Sequence, residues 1–261
     1  MVSRAAGRPA YLQVADALRE QITSGQFPPG AQLPTERALQ ETWQVSSKTV
    51  RAALDQLRAE GLIVSYQGRG VFVRQQHARR RTTTDMTEPG PQRGWYATIA
   101  RQGLQPRSTT TVTQTSCPPE IAEHLGLAPG TPVLVRDRVM GVEGQPPDQL
   151  ATSYFPLPVV ERAPNLGNPG IGGQLNWLED AFGPLHHLDV ITARMPTQRE
   201  RELLDLAPGT PVTILNGTTF DQDNQILTHI VKAIASDRLE LAYSYGTATP
   251  PQEPATSTSE G

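Results

Sequence analysis

Two groups of residues in this chain have a spacing that chemistry can use. Ser46, Ser47, Lys48, Thr49 and Arg51 crowd one short stretch. If that stretch opens a helix, its polar and basic side chains stand beside the unpaired amide groups of the first turn, an arrangement suited to nucleic-acid phosphates and base edges. Arg136 and Arg138 are two residues apart; on a strand both leave the same face and form a fork for an anionic group. His186-His187 invites a metal reading, but neighbours on a strand point to opposite faces, which favours structural roles. Cys117 is the only cysteine, excluding an internal disulfide and any multi-thiolate metal site and reading best as a small buried side chain. No Ser-His-Asp or Cys-His constellation stands out, and neither cofactor nor metal is expected.

Charge divides the chain. Residues 1–81 carry twelve Lys and Arg against six Asp and Glu, yet the whole molecule has a net charge of -3. A basic module joined to an acidic body is what a phosphate-binding segment fused to a separate domain would show. With 261 residues, two domains are the natural expectation. No run approaches the roughly 20 apolar residues of a membrane span, and nothing at the start reads as a secretory signal, so the expected location is the cytoplasm.

Helical spacing of Tyr11, Ala15, Leu18 and Ile22 predicts a first amphipathic helix ended by Ser24-Gly25. A connector follows, with Phe27 and Leu33 as apolar anchors among its prolines. Thr35 caps a second helix that runs to about Trp43 and carries Arg37. Ser46 caps a third, from Ser47 to Glu60, with Val50, Ala53, Leu54 and Leu57 as its buried stripe and Ser47, Lys48 and Arg51 on the other side. Leu62–Tyr66 and Val71–Val73 read as two strands around Gln67-Gly68-Arg69-Gly70, a hairpin whose glycines let it approach a minor groove closely. The elements make a winged helix-turn-helix.

These residues, from Leu33-Pro34-Thr35-Glu36-Arg37-Ala38-Leu39 through Lys48-Thr49-Val50-Arg51-Ala52-Ala53-Leu54 to Gly68-Arg69-Gly70-Val71-Phe72-Val73, resemble the GntR family of bacterial regulators. The resemblance implies DNA contacts from Arg37, Thr49 and Arg51, with Ser46 and Lys48 beside them and Gly68, Arg69 and Gly70 in the minor groove. Ser47 stands where family members commonly place a guanine-reading arginine.

From Arg74 to Arg93 no apolar period is visible, and a flexible linker is expected over 77–93. The region 94–246 contains a repeat: Leu125-Gly126-Leu127-Ala128-Pro129-Gly130-Thr131-Pro132-Val133 returns as Leu204-Asp205-Leu206-Ala207-Pro208-Gly209-Thr210-Pro211-Val212. Each copy follows a strand and a helix and precedes two strands, which predicts a largely antiparallel sheet of about six strands with helices over one face. Arg136-Asp137-Arg138, Tyr154-Phe155-Pro156 and Ser236-Asp237-Arg238 resemble the UTRA effector-binding domain of the HutC subfamily, whose fold is like chorismate lyase. The resemblance implies an effector site drawing on Ser108, Thr109, Arg136, Arg138, Tyr154, Asp237 and Arg238, while Ala151 or Thr152 and Leu239 depart from the family pattern. In the second repeat Leu215 and Gly217 stand where Arg136 and Arg138 stand in the first. The tail 247–261 is compositionally disordered.

The expected molecule is an α+β protein: residues 1–76 a winged helix-turn-helix, 94–246 a duplicated sheet domain. Its expected partners are a palindromic double-stranded DNA operator, a small anionic effector and a second copy of itself. Two other readings stay open: a plasmid-maintenance or architectural DNA binder with a degenerate pocket, and an enzyme using the chorismate-lyase-like domain.

Overall fold

The computed structural model describes residues 7–66, 68–74, 79–82, 95–170 and 173–242. The expected tail, Gln67 of the hairpin and the Pro- and Gly-rich part of the expected linker lie outside these residues. Helices α1 (Ala10–Thr23), α2 (Glu36–Trp43) and α3 (Ser47–Ala59) enclose one core with the hairpin β1 (Ile63–Tyr66) and β2 (Gly70–Val73). The apolar stripe of α3 closes it: Val50, Ala53, Leu54 and Leu57 are buried against Val14, Ala15 and Leu18 of α1 and Leu39 of α2. Thr35 and Ser46 cap their helices by accepting from Ala38 N and Thr49 N. The connector lies against the outer side of the wing through one isolated bridge, Gln32 to Phe72, with Leu33 N donating to Val71 O and Val73 N to Ala31 O.

The second domain is one six-stranded antiparallel sheet, in order β4 (Pro106–Ser116), β5 (Pro132–Val142), β6 (Pro147–Pro156), β9 (Ile226–Ala235), β8 (Val212–Phe220) and β7 (His186–Arg194). That order reads the same from both edges because the two repeats meet at β6 and β9. Thr152 pairs with Val231, its own counterpart in the second copy, so a pseudo-two-fold axis passes between them. Each half contributes a helix to one sheet face. In the first, α5 (Pro119–Leu125) packs Ile121, Ala122 and Leu125 on Val133 and Val135. In the second, α8 (Gln198–Leu203), held by a Thr197–Glu200 capping box, leads into Leu204 and Leu206 on Val212 and Ile214.

Helices cover the other face too, against expectation. Trp95 and Ile99 of α4 (Trp95–Arg101) pack on Met140, Ala151 and Ile230. The chain joining the two halves adds α6 (Leu157–Arg162), a 3-10 turn (Pro164–Gly167) and α7 (Gln174–Phe182), whose apolar residues gather around Phe155 and Leu227. A sheet with an apolar second face must cover it, and these unduplicated helices do so.

A second difference concerns the expected linker. Its basic run forms β3 (Arg79–Thr82), which pairs in parallel with β10 (Leu239–Ala242), Arg79 opposite Leu239. Ladder hydrogen bonds come from the backbone and need no apolar side chains, so a periodicity argument passes over such a strand. Among the described residues no helix is long and apolar enough to cross a membrane.

Candidate nucleic-acid interface and ligand cleft

Ser46 fixes the start of α3: its hydroxyl accepts from Thr49 N at 3.2 Å and shares a 2.9 Å hydrogen bond with the Thr49 hydroxyl. Lys48 and Arg51 then emerge into solvent, with Ser47 and Thr49 half-buried beside them. Arg51 donates from Nε to Glu36 Oε2 of α2 at 2.9 Å and is still 68% exposed. Arg37 is paired with Glu41 at 3.0 Å and more exposed still. Such solvent-facing pairs hold a guanidinium in place at little energetic cost to its release, since exposed ion pairs contribute little stability. At the wing, Arg69 lies over the Tyr66 ring at 5.4 Å, and its carbonyl accepts from Gln32 Nε2 at 2.9 Å. Gly70, at φ +107°, has that same Gln32 amide 2.6 Å from where a Cβ would stand, so a side chain here would be strained in its backbone and would push Gln32 off the Arg69 carbonyl. Helix start and wing tip thus present exposed basic groups from two separately anchored elements.

The second domain holds an open cleft of about 80 Å³ on the face covered by α4 and α7. Its floor is Arg138, Met140, Gln149, Ala151, Thr228, Ile230, Lys232, Gly217, Thr219, His187 and Asp189. Trp95 and Tyr96 form one wall, and Gly173 to Asn176 at the start of α7 another. Arg138 donates to Ser153 Oγ at 2.8 Å. Gln149 Oε1, Trp95 Nε1 and the Tyr96 hydroxyl are buried without a hydrogen-bond partner among the described residues. Buried polar atoms are rarely left in that state, and here they border a space able to hold a small molecule.

Residues 10–73 match the model of bacterial regulatory proteins of the gntR family, and residues 101–240 match the UTRA domain. An HTH-type transcriptional regulator of Streptomyces coelicolor is 32% identical over 250 residues, covering 91% of this chain and 93% of that protein. The HTH-type transcriptional repressor NagR of Bacillus subtilis is 25% identical over 249 residues, 90% of this chain and 94% of its own. A solved GntR-family transcriptional regulator superposes with a TM-score of 0.67 at 25% identity, over 92% of this chain and 99% of that one. The chain belongs to the GntR family. It is a DNA-binding transcriptional regulator with a UTRA domain, and its relatives are regulators, so the enzyme reading is set aside.

Within this GntR-family regulator the residues expected at the effector site divide. Arg136 and Arg138 do leave the same face, yet they part company beyond it. The Arg136 guanidinium is buried and donates to the carbonyls of Leu166 (2.6 Å), Asn168 (2.5 Å) and Gly170 (3.5 Å), clamping the chain that leads into α7; only Arg138 lines the cleft. Burial pulls the Arg136 pKa down from the ordinary arginine range. Ser108 shares the cleft's face, paired in register with Met140, whereas Thr109 points to the other side. Tyr154 is also on the far face, among Cys117, Ile121 and Leu125 under α5. Arg238 binds the carbonyls of Pro147, Leu204 and Asp205 at 2.5–2.6 Å, with Asp237 beside it, tying the two halves at one end of the sheet. Of these residues the structure therefore brings Arg138 alone into the cleft lining, with Ser108 on the same sheet face, and leaves Thr109, Tyr154, Asp237 and Arg238 elsewhere.

His187 donates or accepts at Thr219 Oγ1, 3.0 Å away, with its ring toward the cleft, while His186 is exposed next to Phe220. The cleft residues that sequence reasoning missed are Trp95, Tyr96, Gln149, Gln174, Asp189 and Lys232. The repeat held a signal for two of them: Asp189 and Lys232 are the second-half counterparts of Thr110 and Ser153, on the same strand faces as Arg138.

Proposed function

We propose that this protein represses transcription by binding a palindromic operator as a homodimer and leaves it when a small anionic effector fills the cleft. The observation that carries the reading is the pairing, in one chain, of an exposed basic helix start with a cleft lined by Arg138 and Lys232. On the DNA side, Lys48, Thr49 and Arg51 enter the major groove, Arg37 and the Ser46–Ser47 turn lie along the phosphates, and Gly68, Arg69 and Gly70 reach the minor groove. Repression follows the roles of the repressor NagR and of the mannosyl-D-glycerate transport/metabolism system repressor MngR of Escherichia coli, 48% identical over 69 residues.

Dimerisation is supported by an exposed apolar edge: Leu188, Val190 and Ile191 on β7, with Met195 and Leu203 beyond it, are each more than a third exposed. The effector acts by binding one dimer geometry better than the other; equal affinity would switch nothing. A regulator of this kind works in the cytoplasm, beside the chromosome.

The test is thermal stability of the full chain across a panel of anionic metabolites. A ligand should raise the melting temperature of the wild type, fail to do so for Arg138→Ala, and weaken operator binding. Stabilisation that is unchanged in Arg138→Ala would remove the cleft from the account.

A further inference from the structure

The two ends of the cleft differ in chemistry. At the β5 end stand Arg138, the buried Trp95 Nε1 and Tyr96 hydroxyl, and the start of α7, where Gly173 offers no side-chain cap to the first amides. Those are donors, a set suited to an anion. At the β7 end the cleft is lined by the Asp189 carboxylate, His187, Thr219 and Thr228. Asp189 forms no hydrogen bond or ion pair among the described residues. It sits over Gly217, the residue that replaces Arg138 in the second repeat, and its Oδ1 is 2.5 Å from where a Gly217 Cβ would stand. Duplication gave both halves one frame. One half then took an arginine and the other a glycine that makes room for a carboxylate.

Resting on the reading of the cleft as the effector site, we infer that the effector is an elongated zwitterion, an acid whose amine lies far from its acidic group. Arg138 and the amides at the start of α7 hold the acid, and Asp189 holds the amine. Arg138 and Asp189 stand on strands four ladder steps apart, roughly 19 Å between backbones, which the two side chains shorten to on the order of 10 Å between charges. Between them Met140, Ala151 and Ile230 give an apolar stretch of floor, with Lys232 on the same face between the two ends as a second cation for the acid, while Gln149 Oε1 marks a place for one further donor group on the ligand. A compact sugar phosphate has charge at one end only and leaves the exposed Asp189 carboxylate to water.

The experiment uses the full chain and three probes: 8-aminooctanoate, octanoate and inorganic phosphate, with affinity read by calorimetry. The wild type should bind 8-aminooctanoate at least tenfold more tightly than octanoate. Asp189→Asn should bring the two to equality, and Gly217→Ala, which crowds the carboxylate, should narrow the gap while sparing octanoate. Equal affinity of the wild type for both acids, a preference that survives Asp189→Asn, or no binding of 8-aminooctanoate overturns the zwitterion. Arg138-dependent binding of inorganic phosphate alone would overturn it too, yet leave the effector reading standing. Loss of every anion would end both.

Discussion

The first half of the duplicated domain and the second share a backbone plan and almost none of its uses. In the first copy of the Ala-Pro-Gly-Thr turn, the Thr131 hydroxyl donates to Ala128 O at 2.7 Å, inside its own turn. In the second, Thr210 is wholly buried and accepts from Arg74 Nη2 at 3.0 Å, which joins the end of the wing to the sheet domain just before β8 enters the cleft. Arg136 of the first half clamps three carbonyls where the second half has Leu215, packed in the core. Where the first half has Leu150, the second has His229, buried against Thr218 and stacked on His124 at 4.2 Å. Duplication thus supplies a symmetric frame, and single-residue divergence assigns its halves to clamping, to ligand and to the DNA-binding domain.

Making the halves alike should break these assignments in order of size. Arg136→Leu, which copies the second half, leaves the carbonyls of Leu166, Asn168 and Gly170 without their donor and should cost about 3 kcal/mol in chemical denaturation. Unchanged stability with lost ligand binding would instead restore Arg136 to a ligand fork.

Acid sensitivity should follow the second half as well. Burial, with a smaller contribution from His124, lowers the His229 pKa to about 4. The unfolded chain therefore takes up this proton first, near pH 6.5, and stability falls as pH drops from there toward 4, by at most about 3 kcal/mol. His229→Leu, copying Leu150, should flatten that slope in unfolding midpoints measured from pH 7 to 4, and an unaltered slope would place the proton elsewhere.

The smallest effect concerns the turns. Thr210→Val should loosen the wing by about 1 kcal/mol, seen as faster amide exchange in β2, whereas Thr131→Val should leave β2 untouched. Equal effects would mean that the second turn has no special link to the DNA-binding domain.

These halves also show what a sequence can and cannot reveal. The stripe Val50, Ala53, Leu54, Leu57 and the capping Ser46 were legible because local periodicity and cap chemistry decide them. The repeat was legible because its residues return in order. The site was less so. Alternation tells that Arg136 and Arg138 share a face, and equally that Ser108 and Thr109 cannot, but relating Tyr154 to either requires the register between strands, which is set by long-range pairing. Where a guanidinium ends depends on what lies above the strand, and for Arg136 that is the unrepeated chain at 164–170, whose short elements carry no strong period.

The most direct test of the account is selection of genomic fragments by the full-length wild type and by Arg51→Ala, followed by affinity measurements at fixed salt. The account predicts one palindromic motif for the wild type. In Arg51→Ala it predicts a loss of about 1 to 3 kcal/mol with relaxed preference at a single position of each half-site. No enriched motif, or a uniform weakening on every sequence, would contradict α3 as the element that reads the operator.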